Sequence, residues 1–266
     1  MAGDEYVLSH TGDESERERL GLIERALDPV SQRHLAALGI QQGWRCLEVG
    51  AGRGSVARWL AEQVGPQGKV VATDINPRFL FTEIELPNVE VRRHDIRTDS
   101  LESDTYDLAH CRGVLAHMPE PLLAVRRMVA ALRSGGWLLV EEPDNSSLRA
   151  VDSGHLLAEF FNRKTREVYE RMMHSSALNP YFGCRVRGLL EEAGLTDIGN
   201  EGVTLIARGG ELDARMRCMG NQALMERGLL SQGECADPEE VYSDPSFSYM
   251  REAVEVRSVR LTFCIF

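Results

Sequence analysis

The sequence predicts an α/β protein built on a mostly parallel sheet with helices on both faces. Two observations carry this expectation. From Arg45 to Glu142 apolar strand-like runs alternate with segments of helical periodicity. The first of those strands, ending Leu47-Glu48-Val49, leads into Gly50-Ala51-Gly52-Arg53-Gly54 and then a helix opening at Ser55. Glycine permits positive φ and close approach of a ligand to the backbone, so a strand, a glycine-rich turn and a helix form a cofactor cradle at the sheet edge. Dinucleotide-binding turns usually read G-x-G-x-x-G and turn their amides toward a pyrophosphate. Here the spacing is G-x-G-x-G, and Glu48 stands just ahead of it. A carboxylate there repels a pyrophosphate and suits a cationic ligand.

The elements follow in order. A polar segment, 1–15, precedes a helix from Glu16 to Leu27, with Leu20, Ile23 and Leu27 on one face. Asp28-Pro29 reads as the start of a second helix, running to Leu38, with Asp as N-cap and Pro at the first helical position. Strand Arg45–Val49, the turn, and a helix from Ser55 to Val64 come next. Lys69–Ile75 is a strand, Pro77 opens a helix to Glu85, and Val89–Arg93 is a short strand followed by His94-Asp95. Tyr106–Cys111 is a fourth strand and Leu122–Leu132 a helix. Ser134-Gly135-Gly136 turns into a fifth strand, Trp137–Glu142. After Pro143 the pattern changes to a long amphipathic helix over 153–175, with Leu156/Phe160, Leu157/Phe161, Val168/Met172 and Tyr169/Met173 paired at i,i+4. A helix from Arg185 to Ala193 closed by Gly194, a strand from Thr196 to Ala207, a helix from Leu212 to Arg227 and a short turn or helix at Glu239–Tyr242 complete the chain before its last segment.

Composition narrows the function. The 266 residues are 43% hydrophobic and 27% charged, enough for one large domain or a core with an insert. A net charge of −11 disfavours a nucleic-acid partner and attachment to anionic membranes. No apolar run is long enough to cross a bilayer, and the opening residues Met1-Ala2-Gly3-Asp4-Glu5 lack the basic and apolar parts of a secretory leader. Six cysteines stand singly at 46, 111, 184, 218, 235 and 264, with no metal-like spacing. The expectation is a reduced cytoplasmic protein with no disulfide and no bound metal.

Six segments stand in order along the chain: Gly43–Ser55, Val70–Ile75, Arg93-His94-Asp95-Ile96, Tyr106-Asp107-Leu108, Leu115-Ala116-His117-Met118-Pro119 and Leu132–Val140. Together they resemble the class I S-adenosylmethionine-dependent methyltransferases. The closest resemblance is to the small-molecule enzymes of the methyltransferase domain 11/25 type in actinobacterial secondary metabolism. The resemblance is specific from Asp28 to Asp144 and looser from Tyr6 to Phe247. It implies a Rossmann-like seven-stranded methyltransferase fold with an N-terminal helical cap (1–38), a cofactor-binding core (39–143), a helical substrate lid inserted after the fifth strand (144–184) and a C-terminal part holding the last strands (185–266). The implied cofactor is S-adenosylmethionine, which brings an ammonium and a sulfonium but no phosphate.

The resemblance also assigns roles. Gly50, Ala51, Gly52 and Gly54 would face the methionine and ribose, and Glu48 the cationic end. Asp74, about 20 residues past the glycines, would accept from the ribose hydroxyls. Ile75 and Asn76 would add adenine-side contacts. Asp95 would accept from the adenine amino group with Ile96 on the ring, and the segment His110-Cys111-Arg112-Gly113, with Cys111 and Arg112 foremost, would lie beside the methionine part. Asp95 also reads as a plain turn former.

Methyl transfer is an in-line displacement, and an acceptor hydroxyl also needs its proton removed. His117, His155 and His174 are the candidate general bases. Each has a structural alternative: His117 as a loop-orienting residue, the others as solvated helix positions. Tyr6, Phe160, Phe161, Tyr169 and Met173 are candidate substrate contacts, though a Met and aromatic stripe at helical spacing also describes a core face. The expected partner is a small metabolite methylated on oxygen. A cofactor-binding regulator without turnover, a non-methylating use of the cofactor such as cyclisation, and a nicotinamide oxidoreductase are the competing readings. Relatives commonly end in a Trp-rich strand and a basic tail, whereas in 251–266 Val254 and Val256 alternate with charges and the last six residues hold five apolar ones and no charge. That segment would replace the missing strand, pack on a second subunit as in a homodimer, or reflect an altered terminus.

Overall fold

A computed structural model describes residues 13–174, 178–226, 228, 231 and 240–260, with the backbone alone at 13, 174 and 252–260. Its elements are α1 (Asp13–Ala37), β1 (Arg45–Val49), α2 (Ser55–Val64), β2 (Lys69–Asp74), α3 (Leu80–Glu83), β3 (Val89–Arg93) and β4 (Tyr106–Arg112). A 3-10 turn (Leu115–His117) precedes α4 (Pro121–Ala131), β5 (Leu132–Ala150), α5 (Ala158–His174), α6 (Val186–Glu192), β6 (Gly199–Arg208), α7 (Leu212–Glu226) and β7 (Ser248–Arg260). The seven strands form one sheet in the order β3-β2-β1-β4-β5-β7-β6. β3, β2, β1, β4 and β5 are parallel, and β7 lies antiparallel between β5 and β6.

Strand alternation sends successive side chains to opposite faces. Leu47, Val49, Ala109, Cys111, Leu138 and Val140 face one layer, where they pack against Val125 and Met128 of α4 and Val186 and Leu190 of α6. Cys46, Val70, Ala72, Leu108 and Leu139 face the other, against Leu27 and Leu35 of α1 and Leu60 and Val64 of α2. A third cluster joins Phe161 of α5 to Ala214 of α7 and to Tyr242, Phe247 and Tyr249. No helix among the described residues is long and apolar enough to cross a membrane.

Four local expectations change. The helix break at Asp28-Pro29 is absent, and α1 runs through Pro29. Proline removes an intrahelical bond, but Leu27 and Leu35 are both buried and Arg112 grips Asp28 and Ser31, so tertiary contacts hold both halves in line. β5 is 19 residues long because β7 pairs along it from Trp137 to Ala150, with irregularities on either side of Asp144. The boundary expected at 143 therefore falls inside a strand. The lid helix starts at Ala158, not 153. β7 takes up residues 251–260 inside the sheet, where 252 and 255–258 pair with both β5 and β6. Residues 261–266 lie outside the described residues.

Candidate cofactor and active site

The C-terminal ends of parallel strands are where such sheets bind ligands. At the end of β1, Gly50, Gly52 and Gly54 take φ values of 69°, 58° and 85°. At Gly50 a Cβ would also stand 2.4 Å from Val114 Cγ2, so this position needs glycine twice over. At Gly52 a Cβ would meet nothing nearer than Leu20 at 3.8 Å, so its glycine serves conformation and leaves open backbone. The Gly52 amide donates to Asp74 Oδ2 at 3.0 Å, and the Asn76 amide to Asp74 Oδ1 at 2.8 Å. Burial pushes the Asp74 carboxyl up, while these two amides pull it back. Ile75 is half-buried beside it and Asn76 is exposed. This cradle fits an adenosylmethionine-like ligand: open glycine backbone, a strand-end carboxylate for hydroxyls, and an acid two residues before the turn.

That acid is not open, however. Glu48 is buried, and its Oε2 lies 2.6 Å from His110 Nδ1 on β4. His110 Nε2 lies 3.1 Å from Glu141 Oε2 on β5. Burial disfavours a charged imidazole, but Glu48 and Glu141 outweigh it and push the His110 pKa up to about 9. Burial likewise opposes the Glu141 charge, yet His110, His34 and Ser31 hold it well below the usual carboxylate range. Ser31 Oγ donates to Glu141, whose other oxygen lies 3.2 Å from His34 Nδ1, so α1 is fastened onto the row. Arg112 bonds Ser31 at 2.8 Å and Asp28 at 2.9 Å, in the same clasp. His110 was expected beside the methionine part but not in this row, and Glu141 was not among the expected site residues. The available signal was the presence of ionisable side chains inside otherwise apolar strands.

Four of the expected cofactor contacts, Asp95 and Ile96 on the adenine side and Cys111 and Arg112 on the methionine side, have partners within the fold. Asp95 accepts both Nε and Nη2 of Arg97, at 2.9 and 2.8 Å, and the Arg97 amide as well. The Arg97 guanidinium holds its carboxyl below the ordinary range. Asp95 is thus committed to an internal ion pair. Ile96 is buried in the α4-side core and not displayed for a ring. Cys111 is wholly buried on that same face, where burial drives its thiol far up. Arg112 points to α1 rather than into the turn.

The structure separates the three histidines. His117 ends the 3-10 turn after β4 and is half-buried. His155 precedes α5: its Nδ1 accepts the Leu157 amide at 3.2 Å, and its Nε2 lies 3.3 Å from Ser246 Oγ. Both ring nitrogens thus have partners within the fold. The His174 side chain and Tyr6 lie outside the described residues. Phe161 is 2% exposed and packs edge-on to Tyr242 and Phe247, with ring centroids 5.8 and 5.0 Å away. It is a core residue, and Phe160 is partly buried against the same cluster. Met173 is 46% exposed, because α5 buries Val168 and Met172 instead.

Tyr169 of α5 belongs to a polar network with α7 and Asn145. Its hydroxyl accepts from Arg217 Nη1 at 2.6 Å, and its ring stands edge-on to Tyr181. Arg217 also reaches Asp213 at 3.0 Å and Asn145 at 3.1 Å. Burial opposes the Asp213 charge, but Arg251 and Arg217 outweigh it and hold the carboxyl far down. A cleft of about 640 Å³ opens nearby between α1 and α7, bordered by Glu18, Arg215, Met219 and Tyr242.

A family profile described as a methyltransferase domain matches residues 17–198, more than half of the chain. The chain belongs to this methyltransferase family. Its members use S-adenosylmethionine, the cofactor that the cradle at Gly50–Gly54 suits. The chain is 28% identical over 192 residues to methyltransferase str3 of Strobilurus tenacellus, covering 71% of this chain and 65% of that protein. It is 31% identical over 116 residues to trans-aconitate 2-methyltransferase of Variovorax paradoxus, covering 43% of this chain and 44% of that protein. The chain thus spans less than two thirds of the length of either relative. In fold it is similar to the crystal structure of a putative methyltransferase from Bacillus halodurans. The TM-score is 0.56 at 17% identity, over 87% of this chain and 98% of that one.

Proposed function

We propose that this protein transfers a methyl group from S-adenosylmethionine to a small-molecule acceptor, on oxygen, in natural-product biosynthesis. The observation that supports this best is the positive-φ glycine turn tied to the β2 carboxylate through the Gly52 amide. The Variovorax relative, named for a small acid, supports the acceptor class. The cofactor supplies an electrophilic methyl group. Gly50, Ala51 and Gly52 offer their backbone to its methionine end, and Asp74 takes the ribose hydroxyls with Ile75 and Asn76 alongside. The Asp95–Arg97 pair borders the adenine side. His117, on the loop that meets Gly50 through Val114, takes the acceptor's proton near neutral pH.

α1 and the lid helix exclude water from the reacting atoms, with Phe160 and Tyr169 on the acceptor side. Orientation of this kind supplies on the order of 7–11 kcal/mol in well-placed systems. The division into cap, core and lid is part of the same reading, as is a cytoplasmic location. The test is incubation with methyl-labelled cofactor and the host's small-molecule extract, followed by mass spectrometry. An O-methylated labelled metabolite is expected. Label on nitrogen or carbon would overturn the acceptor atom, and no transfer to any metabolite would overturn the enzymatic reading.

A further inference from the structure

We propose that Glu142 is a positioning residue that holds the loop after β4 against the glycine turn, and that the hold requires its carboxylate to be ionised. The consequence for cofactor binding rests on the cofactor reading above, whereas the hold itself does not.

Glu142 is wholly buried near the middle of β5, on the face opposite the Glu48–His110–Glu141 row. Its Oε1 accepts the amides of Val114 at 2.9 Å and Leu115 at 2.7 Å, and its Oε2 that of Ala116 at 3.2 Å. Three consecutive amides converge on one carboxylate, an arrangement that builds an anion nest. The loop begins at Gly113, whose φ is 63° and whose amide bonds the Glu141 carbonyl at 2.7 Å. Val114 then rests on Gly50, leaving no room there for a Cβ, and the turn ends in His117. The Ala116 carbonyl accepts the Asn179 amide at 2.9 Å, so the lid connection is tied to the same loop.

A carboxylate can accept from all three amides at once. A neutral carboxyl holds them less well, because its hydroxyl oxygen is a weaker acceptor than a carboxylate oxygen. Protonation therefore loosens at least one arm of the nest. Burial pushes the Glu142 pKa up to about 7 against the pull of the three amides, and Glu141 next to it pushes the same way. Among the described residues, the titratable groups that act on it or feel its charge are Glu141 on β5 and the Cys111 thiol on β4, while Asp144 and His117 lie within the same strand and loop. Cys111 stays neutral because burial drives its thiol far up.

Two measurements test this. The first follows the Val114, Leu115 and Ala116 amide resonances of the ligand-free protein from pH 5.5 to 8.5. All three should titrate together near pH 7 in the native protein and in His117→Gln, which removes the neighbouring imidazole, and the shared step should be lost in Glu142→Gln. Absence of a shared titration would overturn the hold. The second is calorimetric binding of S-adenosylhomocysteine over the same range. Native affinity should rise about tenfold from low to high pH, the scale of one hydrogen bond to a charged group. Glu142→Gln should remain at the weak end throughout. Val114→Ala should bind more weakly at every pH while keeping the native midpoint, since it cuts the contact but not the nest. The ligand's own ammonium titrates equally in all three proteins, so the difference between them isolates Glu142. A Glu142→Gln profile that tracks the native one would overturn the link to the glycine turn. If adenosylhomocysteine binds none of them, the cofactor reading fails and the amide titration still decides the hold.

Discussion

Replacing His110 by glutamine should destabilise the protein by about 3 kcal/mol at pH 7. The magnitude follows from the imidazolium between Glu48 and Glu141, 2.6 and 3.1 Å away. Its pKa moves from 6.5 in the unfolded chain to about 9 in the folded one. At roughly 1.4 kcal/mol per tenfold change, that is about 3 kcal/mol of folding free energy. Removing one partner of a buried ion pair costs a similar amount, roughly 3–5 kcal/mol. A glutamine amide can donate to one carboxylate but cannot supply the charge. The sign of the pH dependence follows from the raised pKa. The contribution is fully present below pH 6.5, shrinks as pH rises, and is lost once pH passes about 9. Urea unfolding followed by far-UV circular dichroism, at intervals from pH 6 to 10, measures it. The native protein should lose stability across that window and His110→Gln should show a flatter profile. A variant within about 0.5 kcal/mol of native at pH 7, or the same pH slope in both proteins, would refute the charged bridge.

Other substitutions probe separate links. Gly50→Ala would force a left-handed φ on alanine and drive its Cβ into Val114, so it should abolish adenosylhomocysteine binding while the far-UV spectrum remains α/β. Phe161→Ala should cost about 3–5 kcal/mol in chemical unfolding, the scale for an aromatic core truncation, because its ring is enclosed by Tyr242, Phe247 and Tyr249. Met173→Ser, on the exposed side of the same helix, should change stability by under about 0.5 kcal/mol. Equal losses at these two positions would show that α5 is rotated from the packing described.

The sheet was legible because burial on both faces leaves continuous apolar runs, as in Val70-Val71-Ala72 and Leu138-Leu139-Val140. The glycine turn and Asp74 were legible because φ and strand-end position leave few residue choices. Helix α1 was misread at Pro29, since local propensity cannot register the buried Leu35 or the grip of Arg112 on Asp28 and Ser31. The place of β7 was one of three alternatives, because pairing between residues more than a hundred positions apart leaves little local trace. Asp95, Ile96, Cys111 and Arg112 were placed by analogy with relatives. In this chain Arg97, the α4-side core and α1 claim those side chains instead. Glu141 and Glu142, and the pairing of His110 with Glu48 and Glu141, escaped notice for the opposite reason: each looks like a stray polar residue until the neighbouring strand or loop is set beside it.

Calorimetric titration of S-adenosylhomocysteine into the native protein and into Asp74→Ala tests the central claim most directly. The account predicts micromolar binding to the native chain and none to the variant, with both proteins folded by circular dichroism. Equal binding to the two would remove Asp74 from the ribose. Absence of binding to the native chain would contradict the assignment of Gly50–Gly54 as a cofactor cradle.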